Sequence, residues 1–97
     1  MKVVHHLQGV YYLLQHDGNY YFNVNSGRGA VGFSISVALN QEQVFSYKKN
    51  GTSYLKELAE FVHQEQITYL ELQVDQEIDK AMHGVIKQWI KENIVGN

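Results

Sequence analysis

The fold is decided by one stretch of the sequence, Ala30-Val-Gly-Phe-Ser-Ile-Ser-Val-Ala-Leu39. Large apolar side chains occupy its odd positions, and glycine, alanine or serine occupies each even position. Such strict alternation is typical of a β-strand, since successive side chains point to opposite faces of a sheet. The large face must enter a core, and the small face lets a covering helix or a binding partner approach the backbone. We therefore expect residues 30–39 to form a central strand around which the other elements are arranged.

A β-hairpin is predicted upstream of this strand. Segments 10–15 and 20–25 have strand-like composition, and Asp17-Gly18 between them is a favoured pair for a type I′ turn. The sequence of residues 1–8 is compatible with either a strand or a short helical turn.

The hairpin register follows from the position of this turn. It places Leu13 opposite Phe22 and Tyr11 opposite Val24, which creates one continuous apolar face. The opposite face is mixed and should be partly solvated; it carries Tyr12, Leu14, Tyr21 and Asn23.

Two further strands are predicted downstream. After a turn at 40–43, residues 44–48 return as a fourth strand, and residues 66–74 alternate in side-chain type and form a fifth.

Two amphipathic helices complete the prediction. The first spans about 53–65 with Thr52 as its N-cap; the second is capped by Asp75 or Asp79 and ends near Gly96. The apolar stripe of the second helix comprises Ile78, Ala81, Met82, Val85, Ile86, Trp89 and Ile90. The element order β-β-β-β-α-β-α predicts one α+β domain over residues 1–97, a mostly antiparallel sheet of about five strands with both helices on one face.

Composition narrows the class of protein. The 97 residues include no cysteine, which excludes disulfides, thiolate metal sites and thiol chemistry. Neither a signal peptide nor a run of roughly 18 apolar residues is evident, so we expect a cytoplasmic protein without a membrane segment.

Charge is distributed unevenly along the chain. Residues 1–56 carry five basic and two acidic side chains, whereas residues 57–97 carry eight acidic and three basic ones. Seven of those acids lie between residues 57 and 79, a segment free of lysine and arginine that we call the acidic segment. Such a surface repels phosphate backbones and attracts cationic partners. We therefore expect no nucleic-acid binding and a protein partner with a basic surface.

One glycine-rich stretch has the spacing of a nucleotide-binding motif. The run Gly27-Arg-Gly-Ala-Val-Gly32 matches the dinucleotide pattern G-x-G-x-x-G. That motif works where a helix follows and directs its amides at pyrophosphate, but an alternating strand-like segment follows here. We predict a hairpin connection and no nucleotide cofactor.

The histidines do not form a recognisable site. Glu60 and His63 have the spacing that places two metal ligands on one helix face, but the second such motif of carboxylate-bridged sites is missing. We predict no metal and no cofactor. A serine–histidine–acid triad stays open, since its members need not be adjacent in sequence, although no G-x-S-x-G elbow is present.

Other candidate contact residues lie outside the acidic segment. Arg28, flanked by glycines, could grip a carboxylate or phosphate or simply be an exposed turn residue. Tyr12 and Tyr21 point away from the apolar hairpin face and are either strand formers or interface residues.

In overall character the chain resembles the small cytosolic immunity proteins that bacteria use against polymorphic and contact-dependent toxins. The resemblance rests on compact length, the hairpin Tyr11-Tyr-Leu-Leu-Gln-His-Asp-Gly-Asn-Tyr-Tyr-Phe-Asn-Val-Asn25 and the acidic segment. It implies an inhibitor that binds a cationic, nuclease-like toxin.

The sequence thus favours a non-enzymatic protein-binding module. The expected contact residues are Glu57, Glu60, Glu71, Asp75, Glu77, Tyr12, Tyr21 and Arg28. The first alternative is a small homo-oligomeric domain, a homodimer for example, that pairs through a strand edge or the final helix. The second alternative is a small enzyme.

Overall fold

Four strands and four helices make up the part of the chain that the computed structural model describes, residues 1–25 and 34–93. The strands form one antiparallel sheet in the order β1-β2-β3-β4: β1 (Lys2–Leu7), β2 (Tyr11–His16), β3 (Asn19–Asn25) and β4 (Ser34–Ala38). Four helices follow β4 along the chain: α1 (Gln41–Asn50), α2 (Thr52–Gln64), α3 (Gln66–Glu71) and α4 (Gln76–Asn93). The predicted α+β class with an antiparallel sheet is confirmed, but the predicted five strands, two helices and element order are not.

The hairpin has the predicted register. Leu13 pairs with Phe22 and Tyr11 with Val24. Asp17 and Gly18 have φ angles of 50° and 79°, as a type I′ turn requires at both central positions.

The open question at the amino terminus is resolved by β1. This strand pairs antiparallel with β2, and its register shifts within the strand. Val3 lies opposite Leu14, whereas His5, two residues later, lies opposite the adjacent Leu13. Val4 is therefore the extra residue of a β-bulge, a device that bends an edge strand and hinders further pairing.

The described part of the stretch that decides the fold contains a strand, but this strand is not central. Ser34–Ala38 forms β4, which pairs with β3 along one side and makes an isolated bridge from Val37 to Gln73 along the other. Its apolar face is buried as predicted, with Ile35 and Val37 in the core. Residues 30–33, like Arg28 and the glycine motif, lie outside the described residues.

Two serines on the small face of β4, Ser34 and Ser36, contact other parts of the chain. Ser36 is fully buried and its Oγ accepts a hydrogen bond of 2.8 Å from Asn23 Nδ2. The Ser34 Oγ lies 3.1 Å from Nε2 of His83 on α4. Of the two possibilities that the pattern left open for these positions, a covering helix is the one observed.

The predicted fourth strand, residues 44–48, is wrong because this segment belongs to α1. Asn40 and Gln43 form a reciprocal capping box, each side chain bonded to the other's backbone N–H at 2.8 Å. Lys48 and Lys49 lie in the last turn, where they complement the helix dipole. These local signals outweigh the strand propensity of a five-residue run.

The predicted fifth strand, residues 66–74, is also wrong. Only Glu65 separates α2 from α3, so the chain turns directly into a second helix instead of crossing to the sheet. The chain reaches the sheet at Gln73 and Val74, where the Val74 N–H donates to the Ser36 carbonyl at 2.9 Å. A short apolar run is ambiguous between helix and strand, and here connectivity decides.

The helix ends partly follow the prediction. Thr52 is the first residue of α2 and not its N-cap; Gly51 occupies the cap position without a side-chain hydrogen bond. Asp75 does cap α4, since its Oδ1 accepts from the Ile78 N–H at 2.9 Å. Gly96 lies beyond the described residues.

The sheet is covered on both sides, which corrects the expectation of helices on one face. On one side, the α2 face, core residues of the sheet pack against Leu55, Leu58, Ala59 and Val62. On the other side, the α4 face, Leu14 packs with Met82 and Ile86. The alternating strands therefore bury apolar side chains in two layers of contact.

Candidate functional site

The predicted acidic contact residues lie on three consecutive helices. Glu57 and Glu60 are on α2, Glu71 is on α3, and Asp75 and Glu77 stand at the beginning of α4. Tyr69 of α3 packs on the α2 face and Val74 on the α4 face, so the chain changes sides of the sheet between them. We call the exposed acids of this region the acidic surface: Glu57, Glu60, Glu65, Glu71, Asp75 and Glu77.

No lysine or arginine among the described residues forms an ion pair with the acidic surface. The ion pairs that the described residues do form join histidines to aspartates, His16 to Asp17 and His83 to Asp79. Burial, with smaller contributions from Tyr69 and Glu57, raises the pKa of the Tyr54 hydroxyl. A negative potential at this surface therefore remains available to a partner.

One member of the acidic surface also has a structural task. The Asp75 carboxylate caps α4, and losing such a cap costs about 0.5–2 kcal/mol of stability. Glu57, Glu60 and Glu71 have no such bond and can be changed without removing a cap.

Large apolar side chains are exposed among these carboxylates, and the sequence prediction did not find them. They form what we call the apolar patch: Phe61 (49% exposed), Ile67 (78%), Leu70 (45%) and Leu72 (62%). As a strand, residues 66–74 were expected to bury one row of side chains. The missed signal was that apolar residues occupy both rows, more than a single buried face can hold.

The helix geometry brings the two sets together. Phe61 lies four residues after Glu57 on α2, so the two side chains share one side of that helix. Ile67 and Leu70 share one side of α3, with Glu71 beside them.

The predicted tyrosine contacts lie elsewhere. Tyr12 and Tyr21 are partly buried on the α4 face, packed against the cluster of Leu14, Met82 and Ile86. Burial raises the pKa of the Tyr12 hydroxyl, and its ring lies 5.9 Å from that of Trp89. The two tyrosines therefore do not join the α2–α3 part of the acidic surface, and Arg28 is outside the described residues.

A serine, a histidine and an aspartate do meet on the α4 face. His83 Nε2 is 3.1 Å from Ser34 Oγ and 3.7 Å from Asp79 Oδ1. A nucleophilic triad uses both ring nitrogens, one toward the serine and the other toward the acid. Because both partners face the same nitrogen, Asp79 does not orient the ring through the nitrogen opposite Ser34, and the arrangement lacks the geometry of a triad.

The pair Glu60 and His63 lines an open cleft of about 560 Å³ between α2 and the strand ends. Its apolar walls include Leu7, Val10 and Val24. Among residues 1–25 and 34–93, no group of three or more histidine, aspartate or glutamate side chains is arranged to hold a metal ion.

Comparison with known proteins gives no relative from which a role could be transferred. No family model, no curated protein and no solved structure matches this chain. None of the described helices combines the length and apolar character needed to cross a membrane. The chemistry of the acidic surface is therefore the basis for a functional conclusion.

Proposed function

We propose that this protein is a non-enzymatic binding module, an immunity-type inhibitor that captures a cationic, nuclease-like toxin through its acidic surface. The observation that carries the proposal is that the carboxylates on α2, α3 and the start of α4 are exposed and have no lysine or arginine ion-pair partner among the described residues. A toxin that acts on nucleic acid has a basic substrate path, and clustered carboxylates reproduce the charge of that substrate.

Electrostatic attraction would increase the rate at which such an inhibitor associates with its toxin. Complementary potentials raise association rate constants well above the 10⁵–10⁶ M⁻¹s⁻¹ of neutral pairs, and salt screens the effect beyond about 8–10 Å. A cell that must neutralise a toxin before it acts benefits more from rapid capture than from tight binding alone.

The experiment begins with capture of the partner from cells and identification of the neighbouring reading frames, where a toxin gene is expected. Association kinetics are then measured for the wild type, Glu71→Lys and the double variant Glu60→Lys/Glu71→Lys, across a salt series. We expect the reversals to slow association about tenfold or more, and salt to slow the wild type. Asp75 is left unchanged because its substitution would remove the α4 cap.

Glu92→Lys is the matched control, because it makes the same change in net charge near the far end of α4. About fifteen residues separate it from Glu77, roughly 22 Å along the helix axis. An association rate that responds equally to Glu71→Lys and Glu92→Lys, or to neither reversal nor salt, would refute recognition by the acidic surface.

The homo-oligomeric alternative retains one supporting observation. In the described sheet β1 pairs only with β2, so its other backbone edge is available. Its bulge and Lys2 are features that hinder edge pairing, and we therefore rank this alternative second. Sedimentation at increasing protein concentration distinguishes a homodimer from a monomer that awaits another protein.

A further inference from the structure

One side of α3 has no partner within the described structure. The helix contains no buried residue, and its contact with the core is made by Tyr69. Ile67 and Leu70 share a side of the helix that differs from that of Tyr69, and Ile67 is 78% exposed. Leu72 at its end is 62% exposed. Large aliphatic side chains grouped in this way mark interaction surfaces more often than scattered single ones do.

The surroundings of these side chains are acidic. Glu65 precedes α3, Glu71 lies in its last turn, and Glu57 and Glu60 flank Phe61 on α2. Protein interfaces have this organisation, an apolar centre surrounded by a polar, solvent-accessible rim. The sign of the rim then selects the partner.

We propose that the protein has a docking surface, with the apolar patch as its centre and the acidic surface as its rim. This inference rests on the proposed function. The occupant is a protein surface on which apolar side chains are surrounded by lysine and arginine. Apolar contact holds the complex together and therefore sets its dissociation rate, whereas the rim sets the association rate and the choice of partner.

Charge complementarity excludes a second copy of the chain from this role. A two-fold interface would place the patch against itself. Glu65 and Glu71 would then approach the same carboxylates of the other copy, and like charges across an interface are destabilising. A basic partner gains from the same carboxylates.

The probe is a synthetic helical peptide with leucine on one face and lysine on the flanks. Two matched peptides separate the contributions: one replaces each lysine by glutamate, and the other replaces each leucine by serine. Binding is followed by isothermal titration and by backbone amide chemical shifts of the labelled protein. We expect the leucine–lysine peptide to bind most tightly and to shift the amides of residues 60–72.

Variants of the protein locate the contact. Ile67→Ser and Leu72→Ser should each weaken the leucine–lysine peptide about tenfold, mainly through faster dissociation. Phe45→Ser is the matched control, since Phe45 is 68% exposed on α1 near Lys48 and Lys49; it should leave affinity unchanged. Circular dichroism verifies that each variant is folded.

The outcomes separate the two proposals. If the leucine–lysine and serine–lysine peptides bind equally and Ile67→Ser has no effect, the apolar patch is not the docking centre, while charge recognition stands. If the leucine–glutamate peptide binds as well as the leucine–lysine peptide, the acidic surface does not select the partner and the proposed function fails. If the protein dimerises, and does so more strongly at high salt and less after Ile67→Ser, the occupant is a second copy and our assignment is overturned.

Discussion

Replacement of Met82 by alanine tests whether α4 is packed on the sheet as the structure has it. Met82 is a residue of α4 that is fully buried against the sheet, in one cluster with Leu14 and Ile86. The substitution removes three heavy atoms beyond Cβ, each comparable to a methylene worth about 0.8 kcal/mol of burial. A cavity remains because the surrounding helix and sheet relax only partially. We therefore expect a loss of about 3 kcal/mol, within the roughly 2–5 kcal/mol range for Met→Ala in cores.

The assay is urea unfolding followed by far-UV circular dichroism, with the free energy of unfolding extrapolated to zero denaturant. Lys87→Ala is the control on the same helix, since Lys87 is exposed and surface substitutions usually stay within about 0.5 kcal/mol. Trp89→Ala supplies a second comparison. Trp89 is only partly buried, so the loss should fall below the roughly 3–5 kcal/mol of a fully buried tryptophan.

The ranking of the two substitutions is the informative result. Size alone would give Trp89 the largest contribution to the free energy of unfolding on the apolar stripe of α4. Because Met82 is fully buried and Trp89 only partly, we expect Met82 to contribute more per removed atom. A loss below about 1 kcal/mol for Met82→Ala would show that α4 is not seated on the sheet through this residue. The placement of the sheet between α2 and α4 would then have to be abandoned.

Two further predictions concern backbone conformation and pH. Gly51 has φ 65° and ψ −141°, a conformation costly for other residues, so Gly51→Ala should lower the free energy of unfolding by about 1–3 kcal/mol. Gly84→Ala should be neutral or stabilising by up to about 1 kcal/mol, since its Cβ would meet nothing within 4 Å in α4; equal losses in both variants, measured by urea unfolding, would contradict this reasoning. Burial raises the pKa of the Tyr11 hydroxyl above its usual 10.0. As pH rises, the unfolded chain therefore loses the hydroxyl proton before the folded protein does. The free energy of unfolding is unaffected by this group well below pH 10 and decreases as pH rises further. Tyr11→Phe should therefore decline less than the wild type between pH 9 and 11, and identical slopes would assign the alkaline loss to other groups.

Sequence reasoning succeeded where the signal was local and unopposed. The Asp17-Gly18 turn fixed a two-residue loop, and the loop fixed the pairing of Leu13 with Phe22. The segment about 53–65 was found as α2 because its apolar residues recur at helical spacing. In such cases period, turn chemistry and packing all agree.

It failed where a short segment satisfied two patterns. The apolar and aromatic residues of 44–48 suggested a strand, although Asn40 and Gln43 have the spacing of a capping box, a helix signal that was present but not weighed. The placement of α4 on the opposite side of the sheet from α2 could not be derived from the sequence. Both faces of the hairpin carry apolar residues, and periodicity does not specify which helix covers which face.

The segment 66–74 shows why the apolar patch escaped sequence reasoning. Its apolar residues are distributed so that neither a strand nor a helix can bury all of them. As a helix it directs Tyr69 to the core and leaves Ile67 and Leu72 exposed at 78% and 62%. A chain that needed only a connection between α2 and α4 would gain solubility from polar residues at these positions. Local departures of this kind are expected where a sequence serves binding as well as folding, and here the departure coincides with the segment that lacks lysine and arginine. The apolar patch, within residues 61–72, lies inside the acidic segment 57–79, so a protein that contacts one feature also meets the other.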